Sequence, residues 1–84
     1  MMRIDKLYRH LLANPGATIS FRDFEKLLAA FGFTHARTTA SHRQYTHPKL
    51  SRPFPVQPAG KDAKRYQLRE FLELVEEHGL YLEP

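Results

Sequence analysis

Hydrophobic positions follow a helical period near both ends of the chain. At the start, apolar residues at helical spacing predict a short amphipathic helix that stops at Asn14-Pro15-Gly16; its stripe is Ile4, Leu7, Tyr8, Leu11 and Leu12. A second helix is predicted over Phe21 to Phe31, because Ser20 can cap it and Asp23 lies three residues further on. Gly32 is placed to take the left-handed conformation that ends this helix.

From Phe33 onward the period changes to two and predicts β-strands. Threonines and Tyr45 favour two strands that reverse at Thr39-Ala40, the second running from Ser41 to His47. A third strand alternates apolar residues with prolines around Phe54 and Val56. Since proline has no N–H to donate, this strand must lie at a sheet edge.

A last helix is predicted from Tyr66 to a glycine cap at Gly79. The order α-α-β-β-β-α predicts an α+β fold in one domain over residues 1–84, with an additional helix over 1–14 and a core over 20–79. Both long helices should cover one face of a three-stranded antiparallel sheet, towards Tyr45, Phe54 and Val56. The most buried side chains are predicted to be Phe24, Leu28, Phe31, Leu68, Phe71, Leu72 and Val75.

Charge is strongly segregated along the 84 residues, although the net charge is only +4. Residues 34–69 hold eight basic groups and one acidic group, and residues 70–84 hold five acidic groups and no basic group. A contiguous basic segment predicts a polyanionic partner, with RNA or DNA first. The alternative is a solvated basic surface with no partner.

Composition excludes several classes of site. The absence of cysteine excludes disulfides, thiolate zinc sites and cysteine nucleophiles, and it suits the cytoplasm. The longest apolar run, Leu27 to Phe33, is far shorter than the ~20 residues that span a bilayer, so no membrane partner is expected. His42 and His47 have opposite strand parity, so we expect no metal site, and a domain this small is expected to hold no cofactor.

His42 is the candidate for acid–base chemistry. If Tyr45 packs under the helices, strand alternation directs His42 to the open face of the sheet. RNA carries its own nucleophile, the 2′-hydroxyl, and histidine can accept a proton near neutral pH. The leaving-group acid stays open among Lys61, Lys64 and Tyr66. A lone histidine can equally be a solvated polar residue.

The last helix begins with basic side chains, the reverse of what its dipole favours. Lys61, Lys64 and Arg65 lie at this start, and a bound phosphate would offset their placement. Gly60 would let the backbone come close to such an anion. The alternative is that these residues are solvated and tolerated at small cost.

Three segments form a further pattern: A-S-H-R-Q-Y-T-H-P at Ala40 to Pro48, V-Q-P at Val56 to Pro58, and K-R-Y-Q-L-R at Lys64 to Arg69. Together these segments resemble the HicA family. The resemblance implies a fold like a double-stranded-RNA-binding domain, mRNA cleavage, and neutralisation by a HicB-type antitoxin. The family's catalytic histidine matches His42. Its motif glycine is replaced by Ala40, which would be strained if the turn needs a positive φ.

The HicA resemblance also implies a toxin of a toxin–antitoxin system, and together with the observations above it predicts a ribonuclease toxin with His42 as general base. In this interpretation Lys61, Lys64 and Arg65 bind phosphate, and Arg43 helps to hold the substrate or to orient the site. One alternative is an RNA-binding module of the same fold without catalysis. Another is a protein-interaction module whose acidic end, residues 70–83, contacts a basic partner.

Overall fold

The computed structural model describes residues 3–82, which form three helices and five strands. The helices are α1 (Ile4–Ala13), α2 (Phe21–Ala30) and α3 (Arg65–His78). The strands are β1 (Thr34–Thr39), β2 (His42–Thr46), β3 (Phe54–Val56), β4 (Pro58–Ala59) and β5 (Asp62–Ala63). No helix in this part of the chain is both long and apolar enough to cross a membrane.

The main sheet is antiparallel with the order β1-β2-β3, so the proline-containing β3 lies at an edge as predicted. Its residues Phe54 and Val56 are buried, as is Tyr45 of β2. Phe24 of α2 contacts both the Phe54 ring, at 6.4 Å between centroids, and the Phe71 ring of α3, at 5.8 Å. Helices α2 and α3 therefore cover one face of the sheet, and the α+β class is confirmed.

One hydrophobic cluster joins the helices to the covered face of the sheet. Phe24, Leu28 and Phe71 are fully buried within it. The prediction for Leu72 is wrong, because this side chain is only half-buried. Leu72 borders a shallow groove beside Leu11 at the end of α1, where α1 covers it incompletely.

Local signals fix the helix ends. The Ser20 hydroxyl accepts a hydrogen bond from the Asp23 N–H at 3.1 Å, which confirms the predicted cap of α2. Gly32 follows the helix with a φ of 91°, and Gly79 ends α3 with a φ of 62°. Helix α3 begins at Arg65, one residue earlier than predicted.

The β4–β5 hairpin was not predicted from the sequence. Its turn contains Gly60, whose φ of 66° suits glycine. Gly60 therefore serves this turn, and its close approach to an anion at the start of α3 stays a prediction. The hairpin also pairs with the segment before α2, where the Ala63 N–H donates to the Ile19 carbonyl at 2.9 Å. Two-residue strands are too short to show a period in the sequence.

The reversal between β1 and β2 lies at Ala40-Ser41, one residue later than predicted, and β2 is correspondingly shorter. Ala40 has a φ of 55°, which confirms the expected strain at this position. A positive φ at the first central residue, but not at Ser41, is typical of a type II′ turn, in which glycine usually occupies that position. The first residue after this strained turn is His42.

Candidate functional site

His42 is the first residue of β2 and is exposed. It pairs with Thr39 of β1, and Gln44 follows it on the same side of the strand. Buried Tyr45 has the opposite parity and packs towards the helices. His42 therefore lies on the open face of the sheet, defined here as the face of β1, β2 and β3 that α2 and α3 leave uncovered.

Arg43 lies on the covered face and contacts α2. Its Nη1 donates to both carboxylate oxygens of Glu25, at 2.7 and 2.8 Å, and its guanidinium lies 5.2 Å from the centre of the Phe21 ring. The Tyr45 hydroxyl donates to the same carboxylate at 2.7 Å. The structure thus separates Arg43 from the open face that carries His42.

Burial raises the pKa of the Tyr45 hydroxyl, and its hydrogen bond to Glu25 raises that pKa further. The phenol is therefore held in its protonated form, as a donor to the carboxylate. Glu25 accepts from Tyr45 and Arg43 together, so two side chains of β2 are fixed to α2. This network sets the position of the strand that begins with His42.

Gln57 links the turn before His42 to the start of α3. The Ser41 hydroxyl donates to the Gln57 side-chain oxygen at 3.3 Å. The Gln57 backbone N–H donates to the side-chain oxygen of Gln67 at 3.1 Å, and Gln67 is only 3% exposed. These contacts place His42 and the first turn of α3 at the same end of the sheet.

Basic side chains surround this end of the molecule. Lys64 is the N-cap residue of α3, and its ammonium lies 5.9 Å from the centre of the Tyr66 ring. Arg65 is exposed, as is Lys61 in the turn of the β4–β5 hairpin. Lys64, Arg65 and Tyr66 line one shallow groove. Because the first turn of α3 has no acidic residue, the positive end of the helix dipole adds to these charges.

His47 has a structural role at the other end of β2. Its Nε2 donates to the Phe31 carbonyl at 3.0 Å, and its Nδ1 accepts from the Lys49 N–H at 3.0 Å. The ring also packs against Phe33, with 5.0 Å between centroids. These two bonds require a neutral imidazole with its proton on Nε2. Across residues 3–82, no group of three histidine or carboxylate side chains could hold a metal ion.

Three residues of this arrangement escaped the sequence analysis: Glu25, Gln57 and Gln67. Glu25 adjoins the apolar position Phe24, and helical periodicity gives no sign that its partner lies on β2. A signal did exist for the two glutamines, since both belong to the segments that carry the HicA resemblance.

The family model described as the HicA toxin of bacterial toxin–antitoxin systems matches residues 21–77. No curated protein and no solved structure matches the chain. The matched region begins with α2, ends within α3, and includes His42, Gln57 and the basic start of α3. Because this region covers about two thirds of the sequence, the chain belongs to the HicA family, the toxins of bacterial toxin–antitoxin systems.

Proposed function

We propose that this chain is an endoribonuclease that cleaves mRNA, with His42 as its general base. The observation that carries the proposal is the placement of an exposed histidine on the open face, at the same end of the sheet as the basic start of α3. RNA cleavage requires both features, because the RNA phosphates bind cationic side chains and the 2′-hydroxyl must lose a proton before it attacks phosphorus.

In the proposed reaction, the His42 imidazole accepts the proton of the 2′-hydroxyl. The 2′-oxygen forms a bond to phosphorus while the bond from phosphorus to the 5′-oxygen breaks. The products are a 2′,3′-cyclic phosphate and a 5′-hydroxyl, whose proton comes from a neighbouring acid. Lys61, Lys64 and Tyr66 are the candidates for this acid, and Lys64 and Tyr66 are already in contact.

Lys61, Lys64 and Arg65 are proposed to bind the RNA backbone. Two of them, Lys64 and Arg65, lie at a helix start that Gln67 joins to Gln57, the residue after β3, so a fixed part of the fold presents their charges. Arg43 acts on the site indirectly in this proposal, because its bonds to Glu25 hold β2 against α2. It is a positioning residue for His42.

As a toxin of a toxin–antitoxin system, the chain has an antitoxin as its partner. We propose that this antitoxin is of the HicB type, acts in the cytoplasm, and covers the face around His42 and Lys64. Carboxylates on such a partner would complement the basic start of α3 and exclude RNA from it.

The test compares RNA cleavage and RNA binding by wild type, His42→Ala and His10→Ala. His10 is an exposed histidine of α1, outside the region that the family model matches, and serves as the control. We expect His42→Ala to lower the cleavage rate by about 10²-fold or more, as for the loss of a general base. Its stability should stay within about 0.5 kcal/mol of wild type, since His42 fills no core volume. His10→Ala should cleave normally.

Equal cleavage by wild type and His42→Ala would show that His42 is not the base. RNA binding by both without cleavage by either would instead support the second candidate, a non-catalytic RNA-binding module. The observation that favours this candidate is Ala40, which stands in a positive-φ position where the family motif has glycine.

A further inference from the structure

A β-bulge changes which side chains of β1 face the open side of the sheet. His35 pairs with Tyr45, but the next pair is Arg37 with Gln44, so Ala36 is an extra residue in β1. Before the bulge, the His35 ring stacks on the Tyr45 ring, with 5.2 Å between centroids, on the covered face. In a regular strand Arg37 would share the face of His35. The bulge instead places Arg37 opposite Gln44, on the open face.

The shifted register brings Arg37 close to His42. Thr39 pairs directly with His42, and Arg37 lies two residues earlier on the same face. Arg37 and His42 are therefore diagonal neighbours across an antiparallel pair, at a typical separation of about 7–8 Å between Cα atoms. A long arginine side chain spans such a distance.

Arg37 also differs from Arg43 in what it contacts. The Arg43 guanidinium is engaged by Glu25 and packs over Phe21. Arg37 is exposed, and no side chain described in residues 3–82 forms a hydrogen bond or an ion pair with it. Of the two arginines, Arg37 has a guanidinium that is available to a ligand on the open face.

We propose that Arg37 binds the scissile phosphate of RNA beside His42, an inference that rests on the proposed ribonuclease function. Guanidinium presents a planar pair of N–H donors that matches two phosphate oxygens. Placed next to the general base, it neutralises the charge that develops on those oxygens as the 2′-oxygen attacks. The bulge at Ala36 is thus the structural feature that places the phosphate-binding side chain of Arg37 beside His42.

The experiment compares Arg37→Gln, Arg37→Lys and the control Arg52→Gln. Arg52 is exposed and precedes β3, at the opposite end of the sheet from His42, so its replacement removes the same charge elsewhere. Single-turnover cleavage of a short RNA is measured for each variant. Binding is measured with the same RNA carrying a 2′-deoxynucleotide at the cleavage position, which cannot be cut.

We expect Arg37→Gln to lower cleavage by roughly 10- to 100-fold, as for the loss of a charge-assisted hydrogen bond, and to weaken binding of the uncleavable RNA. Arg37→Lys should retain part of the rate, because it keeps the charge but loses the paired donors. Arg52→Gln should match wild type in both measurements. Unchanged thermal unfolding of Arg37→Gln establishes that the exposed edge strand has kept its structure.

If Arg37→Gln behaves like Arg52→Gln in both cleavage and binding while His42→Ala is inactive, this inference is overturned and the proposed function stands. If His42→Ala cleaves as well as wild type, the proposed function fails by itself. The binding measurement requires no turnover, so a selective loss of RNA affinity in Arg37→Gln would support the phosphate contact even then.

Discussion

Replacing Ala40 with glycine should stabilise the protein. Ala40 is the first central residue of the β1–β2 turn and has a φ of 55°. A positive φ of this kind costs an L-residue about 1–2 kcal/mol, and glycine avoids this cost. Glycine is also freer in the unfolded chain, which offsets about 0.4–1 kcal/mol of the gain. With the middle of each range, the free energy of unfolding should therefore rise by about 0.8 kcal/mol.

The assay is thermal and urea unfolding of wild type and Ala40→Gly, followed by circular dichroism. For a domain of this size, the expected gain corresponds to a Tm increase of about 2–8 °C. Ala29→Gly is the matched control, because Ala29 is an exposed residue of helix α2. There the same chemical change should lower the free energy of unfolding by about 0.5–1 kcal/mol.

Opposite signs for the two Ala→Gly changes are therefore expected. A loss of stability in Ala40→Gly, comparable to that in Ala29→Gly, would refute the positive φ at Ala40. The turn before His42 would then have to differ from the one described.

Two further predictions concern Tyr45 and the start of α3. Because the pKa of Tyr45 is raised, the folded state keeps a proton that the unfolded state loses above pH ~10. The free energy of unfolding of wild type should therefore fall as the pH rises above about 10. This fall should be steeper than in Tyr45→Phe, by up to about 1.4 kcal/mol per pH unit. Urea unfolding between pH 9 and 11.5 tests this, and parallel curves for the two proteins would contradict it. Joint replacement of Lys64 and Arg65 by glutamine should make the salt dependence of log Kd for RNA shallower by about 1 per lost phosphate contact. Arg52→Gln is the control, and an unchanged slope in the double variant would exclude the start of α3 as a phosphate site.

The sequence was sufficient to predict the elements that are marked by a clear hydrophobic period, by helix caps or by proline. Helix α2 could be placed because Ser20, Asp23 and Gly32 mark its ends, and edge strand β3 because proline cannot donate within a sheet. The β4–β5 hairpin could not be placed, since its two-residue strands depend on pairing with the distant segment around Ile19.

The candidate site could be predicted only in part from the sequence, for the same reason. Alternation from Tyr45 was enough to direct His42 to the open face. The same alternation, if carried through β1, would place Arg37 on the covered face, because a two-residue period in the sequence does not reveal a bulge. The ion pair of Arg43 with Glu25 joins residues 18 positions apart, and only the packed fold shows it.

The pairing of the β4–β5 hairpin with the segment before α2 has a consequence for how the protein folds. Thr18 donates to the Ala63 carbonyl, 45 positions away, and Ser20 pairs with Asp62. Closing a loop of this length carries an entropic cost on the order of 3 kcal/mol, and contacts so distant along a chain slow folding. During translation, α2 can form early, but it cannot be joined to the hairpin until residue 63 has left the ribosome. The link from Gln57 to Gln67 needs four more residues. The basic start of α3 is therefore joined to the sheet that carries His42 only after the three strands of that sheet have been synthesised.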